Sequence, residues 1–218
     1  MPFTLAIDTS AGTSVAVLRG GELLAELNND YNMKHAEGIG DAISQVIAAA
    51  EIKPSQIMTV VVGRGPAPFT GLRIGIAAAI MFSEGVGARL FGVVSLDAVA
   101  REALINPEIA SQVSEGKPLL VTADARRSEV YWALYSGISK SGAPISVEGP
   151  AVIKPVALDE LLAGRALQPI RSEAPVRAAQ LAKVLDAQLV DGSATDDVTA
   201  LYLRAPDAVP SPGKKVSG

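Results

Sequence analysis

Three short segments open the chain, Phe3 to Asp8, Ser14 to Leu18 and Glu22 to Leu27, in which apolar residues run together or alternate with polar ones. Clusters of Gly, Ser and Thr separate them, with Gly20-Gly21 at the second junction, and this spacing predicts a three-stranded meander. From His35 to Glu51 the period becomes helical. Ile39, Ile43, Val46, Ile47 and Ala50 share one stripe, and Lys53-Pro54 ends it. Met58 to Gly63 (MTVVVG) is a β-branched run of the kind covered on both faces of a sheet. A helix over Thr70 to about Gly85 follows, then a strand over Leu90 to Val94 and a helix from Ser95, as its cap, to about Ile105. The order β-β-β-α-β-α-β-α predicts an α/β layer built on a mixed five-stranded sheet.

After a polar link from Asn106 to Lys117 the pattern begins again. Leu119 to Asp124 is apolar and ends in aspartate as Leu5 to Asp8 does, Val130 to Tyr135 alternates like Ser14 to Leu18, and Pro144 to Glu148 supplies a third strand. Two lobes on one plan are expected, over residues 1–105 and 106–204. The second is reduced: Pro155 to Gly164 and Glu173 to Asp186 read as short helices, and RALQPIRS between them leaves room for one short strand. Ala205 to Gly218 is rich in Pro, Gly, Ser and Lys and predicts a frayed tail.

Composition adds exclusions. A chain of 218 residues with 49% hydrophobic content can bury a sizeable core, and a formal charge of −4 argues against unaided nucleic-acid binding. The absence of cysteine excludes disulfides and thiolate metal sites. Met1-Pro2 passes into strand-like residues with no basic segment before an apolar signal core, which predicts a cytoplasmic protein. The longest strongly apolar stretch, Ile74 to Phe82, is under half of the roughly 20 residues that a membrane helix requires, so no membrane association is expected.

The densest motif is GRGPAPFTGLRIG, from Gly63 to Gly75. Pro66 and Pro68 fix φ and remove two amide donors until Thr70, a good N-cap, can start the next helix. The segment reads as a rigid structural elbow or as an anion site at a helix start; it has neither the Lys-Ser/Thr pair of a P-loop nor dinucleotide-fingerprint spacing. Asp8, with Ser10 in the turn after it, can face a nucleotide phosphate or its magnesium, or close an Asx turn. Asp124-Ala125-Arg126-Arg127 is the matching second-lobe hairpin, in which the arginines meet a partner's acidic groups or a phosphate, or else sit in a solvated turn. The sole histidine is His35, with Ile39 where a second helical ligand would lie, so a two-histidine metal site is impossible within one chain and a surface or capping role is expected. A carboxylate magnesium site drawn from Asp8, Asp97 and Asp124 remains open, without a displayed set of converging catalytic groups. Ile74 to Ser83 carries no charge on any side. Its far face therefore needs a cover, from the first helix, the second lobe or a protein partner.

LAIDTSAGTSVAVL, KHAE, the elbow, VVSLDAVA, DARRSEVYWALY and LYLRAPDAV occur here in an order that resembles the TsaB family of tRNA threonylcarbamoyladenosine biosynthesis proteins, once described as inactive glycoprotease homologues. The resemblance implies a two-lobed actin-like (ASKHA) fold. It further implies a non-catalytic subunit that supports a TsaD-type transferase, with a TsaE-type ATPase completing the assembly, self-pairing when alone, and tRNA met only through the complex. No cofactor is expected on this chain; ATP with magnesium and a divalent metal would belong to the partners. Ile39, Ile43, Val46, Leu72, Ile76, Ala79 and Ile80 are the expected interface, where Ile76→Asp should break pairing and spare the fold. The elbow departs from the family's GPGSFTG at Ala67 and Pro68, which weakens amide-mediated anion binding. A small-molecule kinase or ATPase of the same fold, and a homodimeric interaction protein unconnected with tRNA, are the alternatives; a peptidase lacks the residues for its chemistry.

Overall fold

A computed structural model describes residues 2–29 and 35–204. Strands β1 (Phe3–Asp8), β2 (Thr13–Arg19) and β3 (Glu22–Asn29) form the expected antiparallel meander. After helix α1 (His35–Ala49), β4 (Ile57–Gly63) enters parallel to β1; after α2 (Phe69–Val86), β5 (Arg89–Val93) enters parallel to β4. The order β3-β2-β1-β4-β5 places β4 inside the sheet, and its Val60, Val61 and Val62 are fully buried, which is why this strand reads as an unbroken β-branched run.

Helices α3 (Ser95–Leu104) and α4 (Pro107–Ser114) lead to the second sheet, made of β6 (Leu119–Asp124), β7 (Val130–Ile138), β8 (Pro144–Ile153) and β9 (Ile170–Ser172). Its order is β8-β7-β6-β9, with β6 antiparallel to β7 and parallel to β9. These strands repeat the β3-β2-β1-β4 arrangement. The fold is therefore actin-like, with a full first sheet and a second in which the fourth strand has shrunk to three residues.

Two elements differ from expectation. Helix α4 forms inside the supposed polar link because Asn106 Oδ1 accepts the Glu108 amide at 2.9 Å and Pro107 suits a first helical position. Helix α6 runs from Ala178 to Asp191 rather than from Glu173 to Asp186. Its start is fixed from the other lobe: the Ala178 N–H donates to Ser14 Oγ at 2.7 Å and the Ala179 N–H to Glu26 Oε1 at 3.1 Å. The expected tail at 205–218 and the expected role of the His35 side chain lie outside the described residues.

Helices α1 and α2 cover one face of the first sheet, burying Leu5, Ile7, Val60 and Val62 beneath Ile43 and Leu72. Helix α5 (Pro155–Gly164) covers the outer face of the second sheet through Leu158 and Leu162, against Trp132 and Leu134. Between the sheets the helices are exchanged. α3, which follows the first sheet, packs on β6, β7 and β8, whereas α6, which follows the second, packs on β1, β2 and β4. One apolar core spans the gap, from Ala6, Ala16 and Val61 through Leu96, Leu181 and Leu185 to Val121, Ala133 and Tyr135. A cut at residue 105 thus divides the sheets in sequence but leaves α6 on the first of them.

The Tyr135 hydroxyl crosses this core to donate to Asp97 Oδ1 at 2.8 Å. Burial pushes the Asp97 carboxyl up to about 6 from an ordinary 3.8, against the opposing pull of the Tyr135 hydrogen bond. The folded state therefore holds its proton more tightly than the unfolded chain, so stability is fully present below about pH 3.8 and falls as pH rises through about 6. Asp97→Asn, which keeps an acceptor for Tyr135, should remove a loss of roughly 2 kcal/mol between pH 4 and 7. Urea unfolding midpoints across that range measure the effect; equal pH slopes for the two proteins would contradict it.

Candidate functional site

Asp8 ends β1 as a buried carboxylate, and its donors define the corner around it. The Ser10 N–H and Oγ–H donate to Oδ1 at 2.8 and 2.5 Å, and the Ser95 hydroxyl donates to Oδ2 at 2.6 Å. Burial raises the Asp8 carboxyl above its usual range, and the Ser10 and Ser95 hydrogen bonds offset part of that rise. The Ser10 amide bond is an Asx turn, the structural alternative among the two readings of Asp8.

Ser95 ties the same carboxylate to the elbow. The Gly65 N–H donates to Ser95 Oγ at 3.1 Å, the Ser95 N–H donates to Gly65 O at 2.8 Å, and the Arg64 N–H donates to Val93 O at 2.8 Å. With Arg64 and Gly65 amides spent on protein and Pro66 and Pro68 lacking theirs, the segment has the geometry of a structural corner. Thr70 is not the cap: Pro68 holds the N-cap position, with no side-chain hydrogen bond, and α2 begins at Phe69. Ser95 is not a cap either, since Val94 holds that position and the Ser95 hydroxyl serves Asp8. Its role escaped the sequence reading. The available signal was a serine directly after an apolar strand end that lies two strands from the Asp8 strand.

At the matching end of β6, Asp124 Oδ1 accepts the Arg126 N–H at 2.8 Å, a second Asx turn, and the Arg126 guanidinium lies 3.3 Å from the same carboxylate. Both side chains are exposed, so the pair contributes little energy. Arg126, Arg127 and Ser128 all take positive φ at the hairpin tip. Asp8, Asp97 and Asp124 thus each have separate partners. Among the described residues no group of three or more His, Cys, Asp or Glu side chains is placed to hold a metal ion.

The expected interface needs correction. Ile39, Ile43, Val46, Leu72, Ile76 and Ala79 are buried and hold α1 and α2 on the sheet; of the seven named residues only Ile80 is exposed, at 39%. The outward surface belongs to their neighbours. On α2 it is made by Ala77, Ile80 and Met81, the last 74% exposed, and on α1 by Gly40, Ser44 and Ala48. Ser44 Oγ–H donates back to Gly40 O at 2.9 Å, so even this hydroxyl is satisfied within the helix. Between the helices runs a groove of about 580 Å³, whose lining includes Ile43, Ile47, Ile52, Ala78, Met81 and Phe82. α1 and the sheet cover most of the uncharged α2 circumference, and Ala77, Ile80 and Met81 lie outside that cover. Among the described residues no helix is long and apolar enough to cross a membrane.

A family model described as TsaD: tRNA N6-adenosine threonylcarbamoyltransferase matches residues 28–190. An uncharacterised protein of Mycobacterium tuberculosis (strain H37Rv) is 34% identical over 215 residues, covering 94% of this chain and 93% of that protein. An uncharacterised protein of Mycobacterium leprae is 36% identical over 227 residues, covering 96% of this chain and 57% of that protein. The tRNA threonylcarbamoyladenosine biosynthesis protein TsaB of Escherichia coli K12 is 31% identical over 157 residues, covering 72% of this chain and 64% of that protein. The match therefore spans less than two thirds of the M. leprae and E. coli relatives. Among solved structures, YeaZ from Pseudomonas aeruginosa superposes with a TM-score of 0.75 at 22% identity over 93% of this chain and 100% of that one, a likeness of fold.

The corner makes a sharp stability prediction. A Cβ on Gly63 would lie 1.8 Å from Asp8 Oδ2 and 2.6 Å from Ser95 Oγ, so Gly63→Ala should cost about 2 kcal/mol or more. In an Asp8→Ala background, where the struck carboxylate is gone, the same change should cost less than half as much. A denaturant double-mutant cycle reads the coupling, and additive costs would show that the carboxylate is not what excludes the methyl.

Proposed function

This chain belongs to the TsaB family, and from that premise we propose that it is a non-catalytic scaffold subunit in the making of N6-threonylcarbamoyladenosine at position 37 of tRNAs that read ANN codons. It holds a TsaD-type transferase on the outward face of α1 and α2, with a TsaE-type ATPase completing the assembly in the cytoplasm. The observation that carries this reading is the exposed stripe of Ala77, Ile80 and Met81 beside the groove, on a helix with no charge between Arg73 and Glu84. Small residues at Gly40, Ser44 and Ala48 let a second helix approach closely, while Ile80 and Met81 supply area to bury.

The non-catalytic part rests on inventory and on how Asp8 is used. A single histidine cannot make a two-histidine metal site, and the Asp8 carboxylate is filled by Ser10 and Ser95. Nucleotide, magnesium and the catalytic metal are accordingly assigned to the partner subunits, and tRNA reaches this acidic chain through the complex. Alone, a second copy is a fitting occupant of the same face: Arg73 and Glu84 cap opposite ends of the apolar stripe, so an antiparallel two-fold pair of α2 helices sets each arginine toward the other copy's glutamate.

Met81→Glu places a charge on the exposed stripe and should weaken capture of a TsaD-type partner by about 100-fold or more, while the thermal midpoint stays within a few degrees of the parent. Ile76→Asp, the choice that periodicity suggests, instead strikes a residue 9% exposed and should unfold the chain. Titration of the folded Met81→Glu variant against the partner decides the matter; unchanged affinity would overturn the docking face.

A further inference from the structure

Past the end of α6, residues 192–204 return across the first lobe without further helix, pairing with a strand only at one isolated bridge. The path is nonetheless closely held. The Gly92 N–H, at the outer edge of β5, donates to Thr195 O at 3.0 Å. The Arg64 guanidinium donates through Nη1 to both Asp197 O at 2.9 Å and Asp197 Oδ2 at 2.7 Å, and the Leu201 N–H donates to Arg64 O at 2.8 Å. Both the side chain and the carbonyl of the elbow arginine are thus gripped by one segment. Val198 and Ala200 pack against the core beneath α1 and α2.

The segment then reaches the docking helix. Arg73 Nε donates to the Tyr202 hydroxyl at 2.6 Å, with the guanidinium 5.4 Å from the ring centroid, and Arg204 pairs with Glu129 beside the second-lobe hairpin. Arg73 lies one turn before Ala77 on the exposed stripe of α2. Gly92 makes the approach possible, because a Cβ there would fall 2.2 Å from Asp197 O and 2.5 Å from Arg64 Cδ. Two of the stretches singled out in the sequence, the elbow and LYLRAPDAV, are therefore in mutual contact at Arg64, Leu201, Arg73 and Tyr202.

We infer that residues 195–204 form a clasp that sets the local stability of the elbow and of the first turns of α2, and with them the readiness of the docking face. The consequence for docking rests on the proposed scaffold role; the clasp itself rests on the contacts just given. Its polar clip, with Arg64 17% and Asp197 49% exposed, can open without disturbing the sheets. Opening it would release the carbonyl and guanidinium of Arg64 together and free Arg73 from Tyr202, so the disturbance would run from the strap into α2.

Hydrogen exchange on the full chain tests this. Asp197→Asn should speed exchange about tenfold at the amides of Leu201, Gly65, Arg73 and Ile74, leaving Leu5 to Ile7 in β1 unchanged. Gly92→Ala, a wedge that alters no charge, should give the same pattern; if that variant fails to fold, the exposed Asp197→Asn change carries the test alone. Acceleration confined to 195–204, or none, would overturn the clasp. Met81→Glu should leave these rates at parental values while weakening docking. If Met81→Glu docks normally, the scaffold reading fails and the clasp is still decided by the exchange rates.

Discussion

The buried carboxyl of Asp8 constrains everything around it, because a polar group out of water needs a hydrogen-bond partner on each oxygen. Ser10 fills one oxygen from the turn after β1, and Ser95 fills the other from the start of α3. Satisfying it fixes three pieces of chain at once. β1 must turn sharply at Thr9-Ser10, α3 must begin where its first hydroxyl reaches back to β1, and the intervening β4 must end in a residue with no side chain. Ser95 then takes the Gly65 N–H, which aims the elbow. The aspartate that a sequence reader would offer to phosphate is turned inward and used for construction.

From that corner the chain enters the exchange of helices between the sheets. The inner face of the first sheet presents Ala6, Ala16 and Val61, small enough for α6 to lie close, and α6 brings Leu181 and Leu185 to fill the space. Polar groups mark where the lobes meet. The first two amides of α6 are satisfied by Ser14 and Glu26 of the first sheet, and Tyr135 of the second sheet reaches Asp97 on α3. Each of these helices thus packs on the sheet of the other half of the chain, while Ser95 at the start of α3 stays tied to Asp8. The space between sheets is filled by side chains of one core, which gives α1 and α2 a firm backing.

The succession of elements along the chain was largely legible because local pattern and tertiary burial agree there. Phe3–Asp8 and Leu119–Asp124 end in aspartates, each followed by an Asx turn, and the repeat they announce is present in the sheet order. The misreadings arise where a distant group decides. Glu173 to Val176 scan as helix, yet α6 waits until Ala178, where Ser14 and Glu26 can take its amides. Ser95 scans as a cap, yet its hydroxyl is claimed by Asp8. On α2, periodicity revealed apolar residues all round without saying which side faces the sheet. Leu72, Ile76, Ala79 and Ser83 turn inward, so of the α2 residues expected at the interface Leu72, Ile76 and Ala79 fasten the helix down and Ile80 faces out.

What faces outward has a physical character of its own. A stripe with alanines, Ile80 and a flexible Met81 offers little directional information, so shape and desolvation would dominate any pairing on it. Orientation must then come from its ends, where Arg73 and Glu84 carry opposite charge and where Tyr202 lies under the arginine. Among the described residues the Arg73 end is the one held by a distant segment, through Tyr202. For the proposed scaffold role, an apolar middle would supply area and the anchored, charged end would supply orientation. The elbow and residues 201–202, far apart in sequence, meet there as two sides of one contact, Leu201 on Arg64 and Tyr202 on Arg73.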